Sequence, residues 1–126
     1  MSNIKSILLV EDDPGVRAMI VDFLSPAAYK VTEVDSVSAA LEELETDQSF
    51  DAVILDFWLG KEHAVSIVDS IRLHLIGTPV IMISGGNGKM DLEMTKAISD
   101  VSGAFVFLQK PFRKADLLDV VASAIG

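Results

Sequence analysis

The stretch ILLVEDDP at residues 7–14 runs from four aliphatic residues through three consecutive carboxylates into a proline. Ile7 to Val10 is too short for a helix, and its continuous apolar character marks a strand buried on both faces. Pro14 directly after Asp13 reads as a first-turn proline behind a capping residue, so a helix begins where the acidic turn ends. Four more short apolar runs repeat the first: Val31 to Val34, Ala52 to Leu55, Pro79 to Ile83 and Ala104 to Leu108. Between and after them, apolar residues recur at helical spacing. The sets are Val16, Met19, Ile20, Phe23, Leu24; Val37, Ala40, Leu41, Leu44; Ala64, Ile67, Val68, Ile71, Leu75; Met90, Met94, Ala97, Ile98, Val101; and Leu117, Leu118, Val121, Ala124, Ile125. Gly77 and Gly103 stand where helices would stop.

Strict alternation of buried strands and amphipathic helices predicts an α/β fold, (βα)5, because right-handed crossovers place the helices on both faces of a parallel sheet. The expected architecture is a doubly wound, flavodoxin-like, five-stranded sheet in the order 2-1-3-4-5. Ligands of such sheets bind beyond the carboxyl ends of the strands, so the residues that close each apolar run are the ones to weigh.

Composition sets the outer limits. The 126 residues are 50% hydrophobic, enough for one domain over 1–126 with a sizeable core, and no cysteine is present to form a disulfide, a thiolate zinc site or a catalytic thiol. A net charge of −9 has the wrong sign for gripping phosphate backbones or anionic lipid, so direct nucleic-acid binding is not expected. No apolar run approaches the roughly 20 residues a bilayer demands, and the run after Lys5 is too short for a secretory signal. The expectation is a soluble, cytoplasmic protein without membrane insertion.

At the end of the first strand stand Glu11, Asp12 and Asp13, where a dinucleotide or flavin binder would carry a Gly- or Ser/Thr-rich phosphate loop. Alone, the cluster could be helix capping. Asp56 closes the third run and, if strands one and three are neighbours, lies close to Glu11 and Asp12. Two carboxylates 4 Å apart repel by about 4 kcal/mol at an effective dielectric near 20, so the site should raise a carboxyl pKa or hold a cation. An all-oxygen donor set suits Mg2+. Ser84, followed by Gly85 and Gly86, closes the fourth run, and Lys110, before Pro111, follows the fifth. Each has a plain reading, as a turn residue or a solvated lysine, but carboxylates, carboxylate, hydroxyl and ammonium at four strand ends form a far more specific set than any one of them.

In ILLVEDDP, DAVILDFWL, PVIMISG and FVFLQKPF the sequence resembles the receiver domain of two-component response regulators over essentially its whole length. The resemblance implies that Asp56 is the phosphoryl acceptor, that Asp12 and Asp56 bind Mg2+ directly with the backbone carbonyl of Trp58, and that Glu11 acts through water. Ser84 and Lys110 match the hydroxyl and lysine that contact the phosphoryl oxygens, and Lys110–Pro111 resembles the family's cis bond. Phe107 stands where the family has a switching aromatic, although a buried strand aromatic, like Phe105, would read the same. The implied function is a phosphorylatable switch in a two-component system or phosphorelay, with only weak self-phosphorylation and self-dephosphorylation. A histidine kinase or histidine phosphotransfer protein would be the donor. The expected output face is helix four, strand five and helix five, with Lys89, Met90 and Met94, toward a downstream protein that the sequence does not identify.

Departures from the family fall after Asp56 and after Ser84. Gly60 replaces a common proline, Ala64 a common glycine, and Ser84-Gly85 a frequent Thr-Ala pair. The stretch from Ser84 to Lys110 is longer than usual by about one helical turn, which predicts a longer loop or an extended fourth helix. His63 and His74 form no ligand pattern, and Trp58 reads either as a shield for the phosphoryl group or as packing. Because the sequence ends after the fifth helix, the expectation is a single-domain receiver. Two other functions compete: a constitutive, non-phosphorylated interaction module, and a hydrolase of the haloacid dehalogenase type. The latter needs a second aspartate where Trp58 stands.

Overall fold

A computed structural model describes residues 4–46, 49–56, 58–59, 62–63, 65–74, 77–84 and 105–125. The readings placed on Gly60, Ala64, Lys89, Met90 and Met94, and on the lengthened stretch between Ser84 and Phe105, lie outside these residues. Strands β1 (Ser6–Val10), β2 (Lys30–Val34), β3 (Ala52–Asp56), β6 (Val80–Ser84) and β7 (Phe105–Gln109) form one sheet in the order β2-β1-β3-β6-β7, parallel throughout. This is the order 2-1-3-4-5 expected from the alternation. Helices α1 (Pro14–Leu24), α2 (Val37–Leu44), α3 (Val65–His74) and α4 (Lys114–Ile125) connect or follow the strands. A short antiparallel hairpin, β4 (Trp58–Leu59) with β5 (Glu62–His63), was not anticipated, since two residues per strand are too few for any periodicity to register.

The side-chain alternation of the strands splits the core in two. Leu8, Val10, Val53, Leu55, Val80 and Met82 face α2 and α3, where Ala40, Leu44, Ile67 and Ile71 meet them. Ile7, Leu9, Ala52, Ile54, Ile81 and Ile83 face α1 and α4, packing on Ile20, Leu24, Leu117 and Val121. Each buried Leu or Ile contributes about 1.5–3 kcal/mol of transfer free energy, and burial on both faces explains why β1 and β3 are unbroken apolar runs. The sheet ends in β2, where Lys30 and Glu33 are exposed.

The start of α1 is capped as the sequence suggests, and α2 carries a second cap. Asp13 accepts from the amides of Gly15 at 2.8 Å and Val16 at 3.2 Å, ahead of Pro14. Ser36 Oγ accepts from the amide of Ala39 at 3.1 Å. Ser36→Ala removes this cap: it should cost about 1 kcal/mol, lowering the thermal midpoint by about 4–5 °C. An unchanged melt followed by circular dichroism would deny the cap its role.

Candidate functional site

Parallel register brings the strand ends to a common edge. Val10 lies beside Leu55, so Glu11 and Asp12 emerge next to Asp56, the last residue of β3, and Asp56 lies beside Ile83. Ser84 ends β6 opposite Gln109, the residue before Lys110. Thus the backbone gathers the ends of β1, β3, β6 and β7. The side chains of Ser84, Phe105, Phe107, Trp58, His63 and His74 lie outside the described residues, so the readings placed on them are not addressed by this geometry.

Glu11 and Asp56 are buried, at 1% and 7% exposure, whereas Asp12 is exposed. One carboxylate oxygen from each of the three can be chosen such that all lie within 4.8 Å of one another, an all-oxygen arrangement suited to a hard cation. Lys110 Nζ donates to Asp56 Oδ2 at 3.1 Å and stands 3.6 Å from Glu11 Oε1. Among the described residues, neither buried Glu11 oxygen has a partner within hydrogen-bond distance. Such enclosure is expensive for an ionised carboxylate.

Glu11 responds by holding its proton. Burial first, then the neighbouring Asp56, with a smaller contribution from Asp12, push its pKa from 4.5 up to about 8 against the opposing pull of Lys110. Two carboxylates can share a hydrogen bond only when one is protonated, and a proton on Glu11 would be donated to Asp56. Burial alone would draw Lys110 down, but the charge and hydrogen bond of Asp56, followed by Glu11, outweigh it and raise the lysine above its ordinary value. The ammonium therefore stays charged and partly neutralises the acidic edge. The Lys110–Pro111 peptide is cis.

Sequence reading missed a clasp on the backbone of Glu11. Its amide donates to the Val34 carbonyl at 3.1 Å, and its carbonyl accepts from Arg17 Nη1 at 3.0 Å. Arg17 Nε also pairs with Glu33 Oε1 at 3.4 Å. No spacing rule ties Arg17 to Glu11, six residues earlier, because the contact runs from helix α1 back to the residue after β1.

Residues 7–122 match the response regulator receiver domain family. Regulatory protein VirG of Agrobacterium fabrum is 32% identical over 122 residues, covering 97% of this chain and 46% of VirG. The chain thus spans about half the length of that relative. A response regulator receiver protein of Sinorhizobium medicae superposes with a TM-score of 0.84 at 25% identity, covering 98% of this chain and 95% of the other. The receiver domain of a sensor histidine kinase from Pseudomonas aeruginosa, solved with magnesium coordinated in its active-site cleft, gives a TM-score of 0.81 at 28% identity, with 98% of both chains covered. Among the described residues no helix is long and apolar enough to cross a membrane.

Proposed function

This chain belongs to the response regulator receiver domain family, and from that premise we propose that it is one receiver domain acting as a phosphorylation switch, with Asp56 as acceptor. The observation that carries the reading is the position of Asp56: its carboxylate is held by Lys110 at 3.1 Å on one side and grouped with Glu11 and Asp12 on the other. The enclosed oxygens of Glu11 and the oxygen-only cluster fit Mg2+, which Asp12, Asp56, Glu11 and the Trp58 carbonyl would hold. Bound there, the ion supplies positive charge against the phosphoryl oxygens.

The chain's own groups account for the remainder. An Asp56 oxygen attacks phosphorus as the bond from phosphorus to the donor's imidazole nitrogen breaks; the new bond is a mixed anhydride, and the electron pair leaves with the imidazole. Lys110 stays protonated throughout and lies against negative charge rather than moving a proton. Ser84, at the end of β6, is assigned to a phosphoryl oxygen and, with Phe107, to the switch that follows. A histidine kinase or phosphotransfer protein would supply the phosphoryl group, and a downstream protein would read the changed face formed by β7, α4 and the helix expected between β6 and β7.

Intact-mass measurement after incubation with a small acyl phosphate tests the reading. One phosphoryl adduct should form with Mg2+ and none when the metal is removed with EDTA. An unmodified chain under both conditions would favour the constitutive module instead.

A further inference from the structure

We infer that Arg17 is a positioning residue for the acidic site, an inference that rests on the magnesium-dependent reading above. Glu11 is the first residue beyond β1, and its backbone is fixed from both sides: the amide by Val34, at the end of β2, and the carbonyl by the guanidinium of Arg17. Arg17 is itself anchored, since its amide donates to the Asp13 carbonyl at 2.9 Å within the first turn of α1 and its Nε meets Glu33 of β2. One planar side chain thereby ties three elements together at the peptide that joins Glu11 to Asp12.

This tie matters because strand pairing gives out there. Val10 is the last residue of β1 in register with both neighbours, opposite Val34 and Leu55. Beyond it, the positions of the Glu11 and Asp12 carboxylates relative to Asp56 depend on the path of a short acidic turn whose charges repel one another. A guanidinium offers several donors in a rigid fork, so it can hold a carbonyl and a carboxylate together; a lysine ammonium is a point charge on a flexible stem and does so less well. Groups that orient metal ligands from behind commonly govern affinity by 10–100-fold.

Arg17 is part-exposed on the rim of an open groove of about 370 Å³ that Glu33, Val34, Asp35 and Ala39 also line. Removing it therefore leaves the two cores intact. The test compares wild type, Arg17→Ala and Arg17→Lys by Mg2+ titration, read by fluorescence of Trp58, the single tryptophan, and by amide hydrogen exchange of Glu11 in the metal-free protein. Arg17→Ala should bind Mg2+ about tenfold more weakly and exchange the Glu11 amide faster, while Arg17→Lys recovers part of both. Phosphoryl uptake should fall at low Mg2+ and return at saturating Mg2+. A drop in thermal midpoint with unchanged Mg2+ affinity and unchanged Glu11 exchange would overturn the inference and leave a merely structural arginine. If wild type itself shows no Mg2+ response, the magnesium reading fails and the positioning role falls with it. If wild type responds and Arg17→Ala matches it, only the positioning role fails.

Discussion

Asp56→Asn should take up no phosphoryl group from an acyl phosphate under conditions in which the wild-type chain becomes modified. The substitution keeps the shape of the side chain and leaves an amide oxygen facing Lys110, so the strand end and both cores persist. What disappears is the anion. A neutral amide is a poor nucleophile, and it does not form the mixed anhydride that a carboxylate forms. The variant also turns one carboxylate of the acidic cluster into a neutral amide, so Mg2+ affinity should fall together with acceptance. Intact-mass analysis separates the two effects: raising Mg2+ does not rescue an acceptor that is gone. An adduct of equal yield on both proteins would take Asp56 out of the acceptor role and move attention to another nucleophile on the same edge.

Glu11→Gln should stabilise the metal-free protein while weakening its hold on Mg2+. The carboxyl of Glu11 titrates near 4.5 when unperturbed and near 8 in the fold. Between these values the unfolded chain has released the proton and the native state still keeps it. Native stability is therefore lost as pH rises from about 4.5 to 8 and levels off above that. Glutamine has no proton to lose, so the advantage of the variant should grow across this window and then stay constant. The full shift overstates the effect, since the Lys110 ammonium and solvent at the open edge screen the charge. About 1–3 kcal/mol is expected above pH 8, a rise in midpoint of about 4–12 °C. The sign reverses with metal. Wild type should gain more stability than the variant from saturating Mg2+, because the ion binds the native state alone and the variant binds it about tenfold more weakly. Melting curves at several pH values, with and without Mg2+, check both halves. A constant, pH-independent offset would show that Glu11 does not carry the strained proton.

The fold was legible because β1, β3 and β6 are buried on both faces and read as unbroken apolar runs, while the helices show one apolar stripe each. The edge strand β2 is less legible: Lys30 and Glu33 are both exposed there, so it lacks the unbroken apolar run of the central strands. The hairpin of β4 and β5 leaves no signal, as two residues per strand are too few to set up an alternation. For the site, residue chemistry at strand ends was visible, and parallel register turned it into proximity. The difference between Glu11 and Asp12 was not. Adjacent acidic residues look alike in sequence, yet Glu11 is enclosed and Asp12 is exposed, because the turn after Val10 directs one inward and the other outward. The clasp by Arg17 was equally hidden, since it joins residues through a helix orientation that periodicity does not encode.

The charges on the margin of the sheet have a consequence for concentrated solutions. A strand at the end of a sheet is a template on which another polypeptide can lay itself down. On β2 that approach would force Lys30 and Glu33 to shed their hydration shells, so ribbon growth from molecule to molecule is discouraged at this border and the protein can be crowded without polymerising through it.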